Sequence, residues 1–385
     1  MRKVDPVVDE AIETLNMKEG PSRRRLLGGA GLFSATAAAS ALISACSSSS
    51  SSSAAATKAV AGSFPTTPKW QFWFVNHVTT NSFFTPTQYG LADAASLLGL
   101  QPPKWGGSTD SVISDMVNYF NTAVAAKADG IGLAAISNTA FTTPVATAMN
   151  DGIPVITYNS DGEYVNGVPS IGTNRLCYVG QSLFSSGQSM GEQIKALVPG
   201  GGDIVIFIAT PGTGNIQPRA DGAVSVLGKE YTVAQIATGA EQSAEPGAEK
   251  AYLLGHPKTK GAFAVDSGST IVLGPSIKAA GLSIPSGGFD TTGQTVPNIQ
   301  SGLMDFTIYQ DPYLQGFLPV LYMYLFKLSG GVLAPPDTDT GLSIVNKSNV
   351  APYVADSRFQ GSTTAQKYIP VPAGPIKEPL ATTST

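Results

Sequence analysis

Hydrophobic positions along the chain gather in short apolar runs. Each run ends abruptly in polar residues and is followed by a segment with apolar positions at helical spacing. The stretch Lys69 to Phe84 (KWQFWFVNHVTTNSFF) sets the pattern. Trp70, Phe72, Trp73, Phe74 and Val75 make a buried strand, with too few apolar residues before Asn76 and His77 for a helix. Tyr89 to Leu98 then has helical spacing and stops at Gly99. A strand, a polar loop carrying two phenylalanines and a helix open an α/β domain. In open α/β sheets, ligands sit beyond the carboxyl ends of the strands, so Asn76, His77, Asn81, Phe83 and Phe84 are expected there.

The same alternation continues. A helix is predicted over Asp110 to Ala128, a strand over Ile131 to Ala135, a helix over Pro144 to Asn150, and a strand over Pro154 to Tyr158 that runs into Asn159-Ser160-Asp161. A second series follows: a helix over Leu183 to Leu197, strands over Asp203 to Ala209 and Tyr231 to Ala234, and a strand over Gly261 to Val265 ending in Asp266. A short strand near Phe289 ends in Asp290, another ends at Tyr309 before Gln310, and a long amphipathic helix spans Tyr313 to Leu328. Short connections between strands and helices mark parallel sheets covered on both faces, here as two consecutive sets of about five strands. If the two sheets face one another, the polar tips His77, Asn159, the Gly212-Thr213-Gly214 turn, Asp266, Asp290 and Gln310 converge.

Length agrees with two such units: 385 residues are enough for two domains. A net charge of −4 with no basic stripe argues against nucleic acid as a partner. After residue 60 no apolar run approaches the roughly 20 residues that span a bilayer.

The N-terminus has a different character. Ser22-Arg23-Arg24-Arg25-Leu26-Leu27 precedes an apolar, small-residue stretch that ends in Ile43-Ser44-Ala45-Cys46, the layout of an export signal. Its start resembles a twin-arginine signal and its end a bacterial lipobox, implying cleavage before Cys46 and lipidation of its sulfur. Residues 1–45 are thus expected to be a signal peptide. The serine run from Ser47 to Ser53 and the alanines after it make residues 46–68 a flexible tether. With Cys46 lipidated, Cys177 has no partner for a disulfide and reads as a small buried hydrophobe.

Enzyme chemistry has little material. Pro211-Gly212-Thr213-Gly214-Asn215 follows a strand as a dinucleotide loop would, but lacks the third glycine and the acidic partner. No phosphate-binding loop, nucleophile elbow or histidine–cysteine metal cluster is present, and the chain has 2 histidines. No catalytic residue, cofactor or metal is expected.

Four motifs in order resemble the periplasmic binding proteins of sugar ABC transporters, the ribose/galactose-type group with the type I fold. They are Asn81-Ser82-Phe83-Phe84, Ile153-Pro154-Val155-Ile156-Thr157-Tyr158, Gly287-Gly288-Phe289-Asp290, and Gln310. The resemblance covers residues 69 to 350. It implies two doubly wound lobes joined by three crossings, near Ser170–Thr173, Gln310–Pro312 and Thr340–Leu342. The first lobe is then 69–172 plus 311–340, the second 173–310 plus 341–349, and 350–385 an extension lying on the surface or disordered.

The family's stacking aromatics fall on Phe83 and Phe84, which would otherwise be read as core. Its first polar contact falls on His77, beside Asn81. Its aspartate–arginine pair falls on Asn159 and Ser160, which lack both charges. Its second arginine falls near Gln217, with Arg219 two residues on. Its asparagine falls on Asp266, while Asp290 and Gln310 match directly. The missing arginine forks imply a ligand other than ribose itself.

A sugar suits these residue types. Aromatic rings cover its C–H faces, each worth about 0.5–1.5 kcal/mol beyond area burial. Carboxylates and amides take its hydroxyls, a bond to a charged group being worth about 1.5–3 kcal/mol. The resemblance implies a monomer, anchored by lipid outside the cytoplasm, that delivers a sugar or polyol to an ABC permease; the alternative is the same fold signalling to a receptor.

Overall fold

The computed structural model describes residues 65–162, 164–165, 168–169, 174–241, 243–351 and 353. The signal, Cys46, the tether up to residue 64 and the chain after Tyr353 lie outside the described residues.

Two six-stranded sheets carry the fold. The first has the order β13-β7-β4-β3-β1-β2, from β1 (Phe72–Asn76), β2 (Lys104–Gly107), β3 (Gly130–Ala135), β4 (Val155–Asp161), β7 (Tyr178–Gly180) and β13 (Thr338–Asp339). All its pairings are parallel. Helices α1 (Thr85–Leu97), α2 (Ile113–Ala125), α3 (Asn138–Asn150) and α9 (Pro312–Leu328) cover it. The two-residue strands β5 (Tyr164–Val165) and β6 (Val168–Pro169) pair with each other.

The second sheet has the order β14-β12-β11-β10-β8-β9. Its strands are β8 (Gly202–Ile208), β9 (Tyr231–Ala237), β10 (Gly261–Ala264), β11 (Ser286–Phe289), β12 (Phe306–Tyr309) and β14 (Ser343–Asn346), the last antiparallel to β12. Helices α4 (Leu183–Leu197), α5 (Gln217–Val226), α6 (Glu245–Gly255), α7 (Ser267–Ala279) and α8 (Thr295–Ser301) flank it.

The apolar runs become central strands because both faces of each sheet are covered. In β1, Phe72 and Phe74 enter one core cluster while Trp73 and Val75 enter the other, the period of two expected of a strand. In β8, Ile204, Ile206 and Ile208 divide in the same way from Val205 and Phe207. Each lobe also packs one helix pair at backbone distance. A Cβ on Gly316 of α9 would stand 2.0 Å from the Thr87 carbonyl oxygen of α1, and one on Gly222 of α5 would stand 2.1 Å from the Phe184 oxygen of α4. Only glycine permits either approach.

The sheets correct the expected lobe boundary. The first crossing, expected near 170–173, comes later: β7 pairs with β4, so the first sheet continues to Gly180 and the chain crosses at Gln181–Ser182. The other two crossings fall at Gln310–Asp311 and Thr340–Leu342. All three are laced together. Thr340 N donates to Gly180 O, Thr340 Oγ1 donates to Gln310 O at 2.7 Å, and Gln181 Nε2 donates to Gly341 O at 3.1 Å. The start of the expected extension packs rather than trailing: Val350 is buried in the second core and the Tyr353 ring meets Tyr309 edge-on at 5.2 Å.

Candidate functional site

The carboxyl ends of both sheets face one cleft, lined from both lobes. The lobes touch across it. The Asn215 side-chain amide nitrogen lies 3.2 Å from His77 Nε2, and Gly214 N donates to Ile136 O at 3.3 Å.

The first lobe supplies an aromatic wall. Asn81 caps a 3-10 turn, Ser82–Phe84, by accepting from Phe83 N at 2.9 Å. That turn brings Phe83 and Phe84 edge-to-face at 4.7 Å, and the His77 ring meets Phe84 at 5.4 Å. Burial lowers the His77 pKa to about 4, so the imidazole is neutral at pH 7. Asn76 is buried but turns away from the cleft: its amide donates to the Tyr158 hydroxyl at 3.0 Å. Asn159 takes a left-handed backbone, φ 62°, a conformation that asparagine tolerates better than most residues.

The second lobe supplies the charges. Arg219, 3% exposed, donates to Val265 O at 3.1 Å and lies 4.2 Å over the Phe289 ring. Asp266 caps α7: Oδ1 accepts from Ser269 N at 2.9 Å, and Oδ2 from Ala209 N at 2.8 Å and Ser269 Oγ at 3.0 Å. Burial raises its pKa while these bonds and Arg219 oppose the rise. Asp290, φ 74°, holds Gln310 Nε2 at 2.7 Å, and burial, opposed by Arg219 and Gln310, lifts it to about 6. Three non-glycine residues with left-handed backbone, Ser111 (φ 58°), Asn159 and Asp290, line one cleft, which fits a site that the surrounding fold holds in place.

A relay joins the walls through the crossings. Asn159 Nδ2 donates to Gln315 Oε1 at 3.0 Å, Gln315 Nε2 donates to Gln310 Oε1 at 3.1 Å, and Gln310 reaches Asp290.

This arrangement can hold a small polar molecule between aromatic edges and bonded carboxylates. Comparisons with known proteins name the scaffold. A family model described as a periplasmic binding protein domain matches residues 72–327. The chain belongs to the periplasmic binding protein family. It is 45% identical over 321 residues, 80% of this chain and 78% of the relative, to a xylose/arabinose-binding protein of Sulfolobus acidocaldarius. Two solved structures share the fold at TM-score 0.66 and 22% identity. One, a carbohydrate transporter from Acidothermus cellulolyticus in complex with myo-inositol, matches over 78% of this chain and 99% of its own; the other, a solute-binding protein from Burkholderia graminis in complex with D-arabinose, over 74% and 97%.

Within this family fold, nine of the expected site residues line the cleft: His77, Asn81, Phe83, Phe84, Asn159, Arg219, Asp266, Asp290 and Gln310. Two do not. Ser160 is fully buried and donates to Ala135 O at 2.6 Å, because the left-handed turn at Asn159 redirects the end of β4. Gln217 is engaged away from the cleft, accepting from Gly212 N and donating to Asp221 of its own helix and to Gln235 of β9; Arg219, half a helical turn on, faces inward instead.

Ser111, Thr210, Asn215, Glu245 and Ser267 also line the cleft and were not anticipated. Thr210 and Ser267 stand directly beyond strand ends and were legible by that rule; Glu245 was not. Cys177 is buried, and burial pushes its thiol up to about 12. Among the described residues no cluster of metal-ligating side chains occurs.

Proposed function

We propose that this chain is an extracytoplasmic binding protein that captures a neutral sugar, a pentose first, between its lobes and delivers it to an ABC importer. The observation that carries the reading is the pairing of opposite walls: aromatic edges on one lobe, bonded carboxylates and an arginine on the other. A sugar has both surfaces, apolar faces and a polar rim. The similarity to a xylose/arabinose-binding protein supports the pentose choice. Capture works as a population shift: a ligand bonded to one wall recruits the other and favours the closed form.

Isothermal titration of the full chain against D-xylose, L-arabinose, myo-inositol and a set of amino acids tests this. One site of micromolar affinity for a pentose, about −8 kcal/mol, is the expected result. Binding of an amino acid with no sugar bound would remove the reading. The lipid anchor rests on the Cys46 motif, in residues outside those described; Cys46→Ser should move the protein from the membrane fraction to the soluble one, and unchanged partitioning would count against the anchor.

A further inference from the structure

The second wall carries one ionisable group that the sugar reading does not use. Glu245 opens α6, is 2% exposed, lines the cleft, and its Oε2 has no hydrogen-bond partner among the described residues. A glutamate in the first turn of a helix ordinarily sits in water, where it also favours the helix dipole. Here the fold makes room for it inside. Gly268, in the first turn of α7, lies against it: a Cβ there would stand 2.3 Å from Oε1 and 2.4 Å from Oε2. A buried carboxyl without a compensating bond is tolerated in its neutral form.

The neighbours agree. Asp266 faces Glu245 from the head of α7, Glu249 lies one turn on in α6, and Asp290 enters the cleft from β11. Arg219, from α5, is the positive group in the cleft and acts on Asp266 and Asp290, while the opposite lobe presents the neutral His77. Burial first, then the Asp266 charge, raises the Glu245 pKa to about 8.

We propose that Glu245 is a specificity-determining contact whose protonated carboxyl donates its O–H to a ring or hydroxyl oxygen of the bound sugar. This rests on the sugar reading above and adds a division of labour: Asp290 accepts from sugar hydroxyls, and Glu245 donates to an oxygen that needs a proton. A ring oxygen has none of its own. Binding then weakens as Glu245 ionises. The neutral-to-alkaline range isolates this step, because Asp290 titrates near 6 and His77 near 4. Glu249 is also pushed well upward, by burial first, but does not line the cleft.

The test is titration of the full chain with D-xylose and L-arabinose at pH 7 and pH 9. Wild type should bind about tenfold more weakly at pH 9, along a one-proton curve centred near 8. Glu245→Gln, whose amide donates but does not ionise, should bind equally at both, whereas Glu249→Gln should keep the wild-type pH dependence. Gly268→Ala should weaken binding at pH 7 severalfold by pushing the carboxyl aside. Wild-type affinity equal at the two pH values, or a pH loss that survives in Glu245→Gln, would overturn the assignment and leave the sugar reading standing. If wild type binds neither pentose at pH 7, the sugar reading fails and this inference with it.

Discussion

The two walls of the cleft are built on opposite terms. Among the described residues, the first-lobe wall (His77, Asn81, Phe83, Phe84, Ser111 and Asn159) holds no charged side chain. The second-lobe wall holds Arg219, Glu245, Asp266 and Asp290. The first wall is the lobe's own core coming to the surface: Phe84 is 1% exposed and packs in the same cluster as Phe74 and Leu91. The second is a set of polar side chains bonded within its lobe or to the crossings, Arg219 to Val265, Asp266 to Ala209 and Ser269, Asp290 to Gln310. Removing part of the first wall therefore costs folding, while the second divides residue by residue between folding and recognition.

The largest effect follows from the aromatic wall. Phe84→Ala should cost about 3–5 kcal/mol of stability, read by urea unfolding. A loss under about 1 kcal/mol with abolished binding would separate the wall from the core and break the comparison. Next is Asp266→Ala. It removes the α7 cap, worth about 0.5–2 kcal/mol, and leaves Ala209 N unmet, a further cost of about 1–3 kcal/mol. Normal stability would mark Asp266 as a recognition residue alone.

The smallest effect is a slope. The Glu245 pKa rises from its ordinary 4.5 to about 8 in the fold, so its contribution to stability is full below 4.5 and is lost as pH rises through 8. Glu249 shifts in the same direction. The His77 pKa falls from 6.5 to about 4, so its contribution is present above 6.5 and lost as pH falls through 4. Between pH 6.5 and 8 the carboxyl slope stands alone: the unfolding midpoint should fall as pH rises, and fall less in Glu245→Gln. Equal slopes in the two proteins would show Glu245 already solvated.

The fold was legible where burial is two-sided. β1 and β8 show as unbroken apolar runs because each face meets a covering layer. It was illegible where strands are too short to show a period. β7 has three residues and β13 two, which is why the first crossing was expected before Gly180. The helix α3 begins at Asn138 rather than at Pro144, because Ser137 caps it by accepting from Ala140 N and the proline lies inside; a proline ordinarily reads as a helix start.

The site followed the same logic. Residues directly beyond strand ends, such as Asp290 and Gln310, were found because position alone places them there. Arg219 and Gln217 lie two residues apart on one helix start, and only the turn of α5 decides which faces in. Glu245 sits where a glutamate is ordinarily solvated, and its burial depends on Gly268, more than twenty positions away. No local pattern carries that information.

The most direct test of a charged wall that recognises while an aromatic wall supports is D-xylose titration of Asp290→Ala beside wild type, with unfolding midpoints measured on both. Among the described residues the Asp290 carboxylate accepts from one side chain, Gln310, while its backbone oxygen accepts from Thr307 Oγ1. The account predicts affinity lower by about 1.5–3 kcal/mol, roughly ten- to more than a hundredfold, in a variant that stays folded and loses no more than the about 1–3 kcal/mol of stability expected from leaving Gln310 Nε2 unmet. Unchanged affinity, or a loss that tracks a collapse in stability, would contradict it.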